Sequence, residues 1–139
     1  MNADPSAKPS PVSGGRTGRI ECRLDHDSRL LASLAVVMAY AARRAGLPEQ
    51  AQEDFAAAAA QASREMVGQA GPATTCLVLE EFSDRLELTI DSPAGSKSGA
   101  ICKNLQSKMN DRIHCELQDG RVRLTLLKPC GAAKSGSAS

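Results

Sequence analysis

Hydrophobic residues recur along the chain with two alternating periods, and the switches between them mark the elements. In RIECRLDHD (19–27), Ile20, Cys22 and Leu24 alternate with charged neighbours, which predicts a half-buried strand. Asp27 or Ser28 then offers a helix N-cap. In SRLLASLAVVMAYAARRAG the period lengthens: Leu30, Leu31, Leu34, Val37, Met38 and Ala41 fall on one broad helical face. That helix ends on Arg43, Arg44 and Gly46, a basic last turn followed by a C-terminal glycine. Pro48 opens a second helix at a first-turn position, with Glu49, Glu53 and Asp54 near its positive end. It is expected to run to about Val67, stopped by Gly68, Gly71 and Pro72.

The period then returns to two. TTCLVLEEF places Leu77 and Leu79 on one face. DRLELTID places Leu86, Leu88 and Ile90 on one face and Glu87, Thr89 and Asp91 on the other. Ser83-Asp84 forms the turn between these two strands. A glycine-containing loop (92–100) leads into GAICKNLQSKMNDR (99–112), where Ile101, Leu105 and Met109 are spaced for a helix. IHCELQDGRVRLTLLK closes the pattern as a hairpin around Asp119-Gly120. The order β α α β β α β β predicts an α/β two-layer sandwich, a mainly antiparallel sheet covered on one face by three helices.

Composition sharpens the domain limits. Residues 1–18 are rich in Pro, Ser and Gly and are expected to be a disordered arm; residues 131–139 read the same way. One domain is expected between them, over 19–130. Aromatics make up only 2% of the 139 residues, so the core is built from Leu, Val, Ile and Ala, and base-stacking nucleic-acid recognition lacks its rings. A formal net charge of +1 gives no electrostatic reason for a nucleic-acid or membrane-surface partner. No hydrophobic run reaches membrane-spanning length and no secretory signal opens the chain. The five cysteines, an odd number with no CxxC, are read as reduced thiols of a cytoplasmic protein.

FAAAAAQASREMV (55–67) raises the functional question: a run of five alanines ends in the polar residues Gln61, Ser63, Arg64 and Glu65. With the motif DSPAG (91–95) and the closing helix–hairpin, this stretch resembles the bacterial anti-sigma factor serine kinases, of the ATPase superfamily shared with histidine kinases and DNA gyrase. The resemblance covers about residues 19–129. It places Gln61 where the family carries a catalytic Glu, the general base, and Glu65 where it carries an Asn that holds Mg²⁺. Asp91 stands at the Asp that accepts a hydrogen bond from adenine, and Gly95 at the second glycine of that motif. Gly95, Ser96, Lys97, Ser98 and Gly99 represent the phosphate loop, with Lys97 adding charge.

The chemistry at these positions departs from the family. An amide such as Gln61 is no base at neutral pH. Glu65 offers carboxylate oxygens to Mg²⁺ but adds negative charge. Pro93 replaces the first glycine and removes a backbone donor. The resemblance therefore implies a regulator that binds protein, with a sigma factor or an anti-sigma factor antagonist as partner, homodimer formation, and a degenerate site for ATP and Mg²⁺. Its alternatives are an active ATP-dependent serine kinase, and an ATP-binding regulator without phosphotransfer.

Overall fold

The computed structural model describes residues 15–24, 28–71, 73–109 and 113–130. The expected order of elements is present: β1 (Arg16–Leu24), α1 (Ser28–Arg44), α2 (Glu49–Ala70), β2 (Thr75–Phe82), β3 (Arg85–Pro93), α3 (Ser98–Met109), β4 (Ile113–Gln118) and β5 (Arg121–Pro129). The strands form one five-stranded sheet in the order β1-β2-β3-β5-β4, antiparallel throughout. The first strand starts three residues earlier than expected. The Asp25–His26–Asp27 triplet and the capping role of Asp27 lie outside the described residues.

Turn chemistry fixes the hairpins. Ser83 and Asp84 connect β2 to β3. Arg85 braces that corner: it ion-pairs with Asp84 and Glu87 and lays its guanidinium 4.0 Å from the centre of the Phe82 ring. Asp119 and Gly120 both take positive φ, 54° and 75°, as the primed turn of a two-residue hairpin requires. Their strands alternate cleanly: Leu77, Leu79, Leu86, Leu88, Ile90, Val122, Leu124 and Leu126 are buried on the inner face of the sheet.

The helices cover that face. Leu31, Leu34, Met38 and Ala41 of α1 are buried, as the helical period predicts. The helix ends in a Schellman motif: Leu47 N–H donates to Ala42 C=O, Gly46 N–H to Arg43 C=O, and Gly46 supplies the positive φ of 88°. Pro48 is the N-cap of α2 and not its first helical residue. Phe55, Ala56, Ala59, Ala62, Ser63, Met66 and Val67 form the buried side of α2. α2 packs on α1, β3 and α3, so the alanines sit where backbones must approach closely. α2 also runs past Gly68 to Ala70 and is capped by Gly71 at φ 62°. An interior glycine costs a helix about 1 kcal/mol, and contacts beyond it offset that cost here, as shown below.

The cysteines differ from expectation. Cys102 of α3 and Cys115 of β4 are joined in a disulfide, with Cα atoms 5.7 Å apart. α3 lies over the inner side of β4, where Cys115 points, and this brings the two sulfurs together. Cys22, Cys76 and Cys130 are not part of a disulfide. No helix among the described residues is long and apolar enough to cross a membrane.

Candidate functional site

Residues four apart on a helix share a face. On α2 the stripe Gln61, Glu65 continues one turn further to Gln69, and it is Gln69 that reaches the sheet. Its Nε2 donates to Ser92 Oγ at 2.8 Å and to the Pro93 carbonyl at 2.9 Å. Its Oε1 accepts from Gly95 N–H at 3.1 Å and from Ser98 Oγ–H at 2.6 Å. The amide orientation is dictated by chemistry, because a carbonyl only accepts and a backbone N–H only donates. Gly95 N–H is shared with Ser98 Oγ at 2.7 Å, and Ser98 N–H donates to the Gly95 carbonyl. One side chain of α2 thus binds the end of β3, the following loop and the first residue of α3. Ser92 is wholly buried and Ser98 is 1% exposed. A Cβ built on Gly95 would lie 3.3 Å from both the backbone oxygen and Oε1 of Gln69, so the loop is seated on α2 without spare room. A further main-chain bond, Ala94 N–H to the Gly120 carbonyl, ties the loop to the β4–β5 turn.

Asp91 lies elsewhere. On β3, Leu86, Leu88, Ile90 and Ser92 point inward, and Asp91 points to the sheet face that carries none of the described helices. Opposite it in the ladder stands Arg123. Asp91 Oδ1 accepts from Arg121 Nε at 2.7 Å, and Oδ2 from Arg123 Nε and Nη2, both at 3.2 Å. The group lines an open pocket of about 200 Å³ with Glu116, Gln118 and Asp119. Three carboxylates here face two guanidiniums, both already engaged by Asp91, so the pocket has no surplus positive charge for a polyphosphate.

The structure therefore separates residues that the family resemblance groups together. Gln61 and Glu65 are half-buried on α2, on the helical side of the sheet; Asp91 is on the opposite side. Lys97 and Gly99 are exposed at the start of α3, and the Gly95 N–H is already used. Among the described residues, no group of three His, Cys, Asp or Glu side chains is arranged to hold a metal ion. The residues present do not fit ATP with Mg²⁺ in the arrangement that the resemblance implies.

Two thiols on neighbouring strands are electrostatically muted. Burial pushes the Cys22 thiol above its ordinary pKa, helped by Cys76 and by the Glu21 carboxylate. Burial also raises Cys76, whose Sγ–H donates to Glu21 Oε2 at 3.6 Å. Both stay protonated at neutral pH and are poor nucleophiles.

No protein-family model matches the chain, and no curated protein matches it significantly.

Proposed function

We propose that the chain is a regulatory domain that acts by binding protein, in the manner of an anti-sigma-factor-like regulator, and that it does so without nucleotide. The observation that carries this reading is the Gln69 junction. A phosphate-binding loop must leave its backbone N–H groups free and able to close around a ligand. Here the loop between β3 and α3 spends its Gly95 donor on α2 and is fixed at both ends by buried hydroxyls. The amide at Gln61 supports the same reading, since no general base stands at the position the resemblance assigns to one. The partner class, a sigma factor or an anti-sigma factor antagonist, comes from the resemblance in 55–67, 91–95 and the closing helix–hairpin.

The test is capture. The purified full chain is immobilised and offered the sigma factors and antagonist-type proteins of its own genome, with and without Mg-ATP. Saturable binding of one of them, with the same affinity in both conditions, supports the proposal. Binding that requires Mg-ATP, or transfer of labelled phosphate to a serine of the captured protein, overturns it in favour of the ATP-gated or kinase alternative.

A further inference from the structure

α3 is held by few side chains. Among those described, only Ser98, Cys102 and Leu105 are buried. Each anchors the helix differently: Ser98 to Gln69 of α2 through its hydroxyl, Leu105 in the hydrophobic core, and Cys102 to Cys115 of β4 through the disulfide. A helix of 12 residues is marginal without such anchors. β4 is no firmer, because it is an edge strand that pairs with β5 and with no other described strand. α3 and β4 thus form the margin of the domain, and the disulfide is the covalent link between them. The bond is also within reach of solvent. Cys115 and Leu117 share the inner face of β4, opposite Leu124 and Val122. Cys115 is half-buried and Leu117 beside it is 50% exposed, so a reagent meets the Cys115 sulfur first; Cys102 is 5% exposed. Cys22 and Cys76 form no second pair, for they stand opposite Leu77 and Arg23 and point to opposite faces of the sheet.

We propose that Cys102–Cys115 is a reversible redox latch. Oxidised, it holds α3 on β4; reduced by a dithiol, it releases α3 and loosens the β3–α3 loop, which Ser98 ties to Gln69. In the forward step a thiolate of the dithiol attacks Cys115 Sγ. The S–S bond breaks, and Cys102 leaves as a thiolate that takes up a proton. The second thiol of the reductant, deprotonated, then attacks the mixed disulfide at the reductant's own sulfur. Cys115 leaves and is protonated, and the reductant becomes a disulfide. Two electrons pass from the dithiol to the protein, and both cysteines end as thiols. Oxidised glutathione reverses the exchange: the two cysteines rejoin and two glutathione thiols are released. With one of three anchors gone, α3 and β4 open as a local unit while the strands β1, β2 and β3 stay paired. The latch is independent of which protein the chain binds and of whether it takes nucleotide.

Hydrogen exchange of the full chain, read by mass spectrometry over labelling times of minutes, tests this in the oxidised protein and after reduction with dithiothreitol. Amides of α3 and β4 should exchange about tenfold faster or more after reduction, while those of β2 and β3 stay protected in both states. Re-oxidation with glutathione disulfide should restore the slow exchange. The double variant Cys102→Ala with Cys115→Ala should match the reduced protein and ignore dithiothreitol, which separates loss of the bond from other effects of the reductant. In a parallel titration, alkylation and mass measurement count the thiols across glutathione buffers, and the bond should be reduced by about 10 mM reduced glutathione. Equal exchange of α3 in the oxidised and reduced protein overturns the proposal. So does a rise in exchange as large in β2 and β3 as in α3, or a double variant whose α3 is as protected as in the oxidised protein. A bond that stays intact in the reduced glutathione buffer, or that glutathione disulfide fails to form, overturns it as well.

Discussion

Gln69→Ala probes the junction most sharply. The side chain makes four hydrogen bonds, two as donor and two as acceptor. Their loss is not four equal terms. Gly95 is exposed and its N–H keeps Ser98 Oγ, so it loses little. The Pro93 carbonyl is half-buried and can turn to water at a cost of about 1 kcal/mol. Ser92 is different: it is wholly buried, and stranding its hydroxyl costs about 1–3 kcal/mol. Ser98, 1% exposed, keeps the Gly95 N–H but loses the acceptor of its own O–H, at a further cost of about 1 kcal/mol. The sum is about 3–5 kcal/mol. With a urea slope of about 2 kcal/mol/M, the midpoint should fall by about 1.5–2.5 M with the slope unchanged. Gln69→Glu separates the two halves of the junction. It keeps both acceptor contacts but turns a carboxylate toward the Pro93 carbonyl. The charged form is disfavoured in the folded state, so the folded pKa of this glutamate lies above its unfolded value. Stability of that variant should be greatest below about pH 4 and be lost as pH rises. Equilibrium urea unfolding at pH 4 and pH 7 reads both effects. If both variants unfold within about 0.5 kcal/mol of the wild type, near the level of an exposed surface substitution, the junction does not hold the loop.

Three further outcomes follow from the same structure. Reduction of Cys102–Cys115, which closes a 13-residue separation, should cost about 3 kcal/mol by loop-closure entropy, and thiol titration in denaturant should give three thiols before reduction and five after. Asp91→Asn removes ion pairs whose arginines are 52% and 61% exposed, so the loss should be no more than about 1 kcal/mol and should shrink in high salt; a larger, salt-insensitive loss contradicts a surface role. Raised pKa values at Cys22 and Cys76 mean that the native state holds its protons longer than the unfolded chain. Stability should therefore be flat below about pH 8.5 and decline above it, and Cys22→Ala with Cys76→Ala should flatten that decline.

Much of the fold is legible in the residues. The periods of Leu31–Ala41 and Leu86–Ile90 placed helix and strand and their buried faces, and Asp119-Gly120 marked a turn whose two positive φ angles follow from its chemistry. The position of Asp91 was legible too: alternation with Leu88 and Ile90 puts it on the polar face. Gln69 carried a weaker signal. It continues the stripe from Gln61 and Glu65 by one turn, but Gly68 suggested that the helix had ended before it. A glycine can be carried through when the following residue anchors the helix to the sheet, which local propensity does not encode. The disulfide had no local signal, since the separation of Cys102 and Cys115 gains meaning only once α3 lies over β4.

The central claim is that the loop between β3 and α3 is closed on α2 and takes no nucleotide. Isothermal titration of the full chain with ATP and Mg²⁺, up to about 1 mM, tests it most directly, with Gln69→Ala titrated alongside. Absence of saturable heat from the wild type is the expected result. Stoichiometric binding by the wild type that survives or strengthens in Gln69→Ala would contradict it, for it would mean that the loop opens to a nucleotide despite the four bonds that hold it.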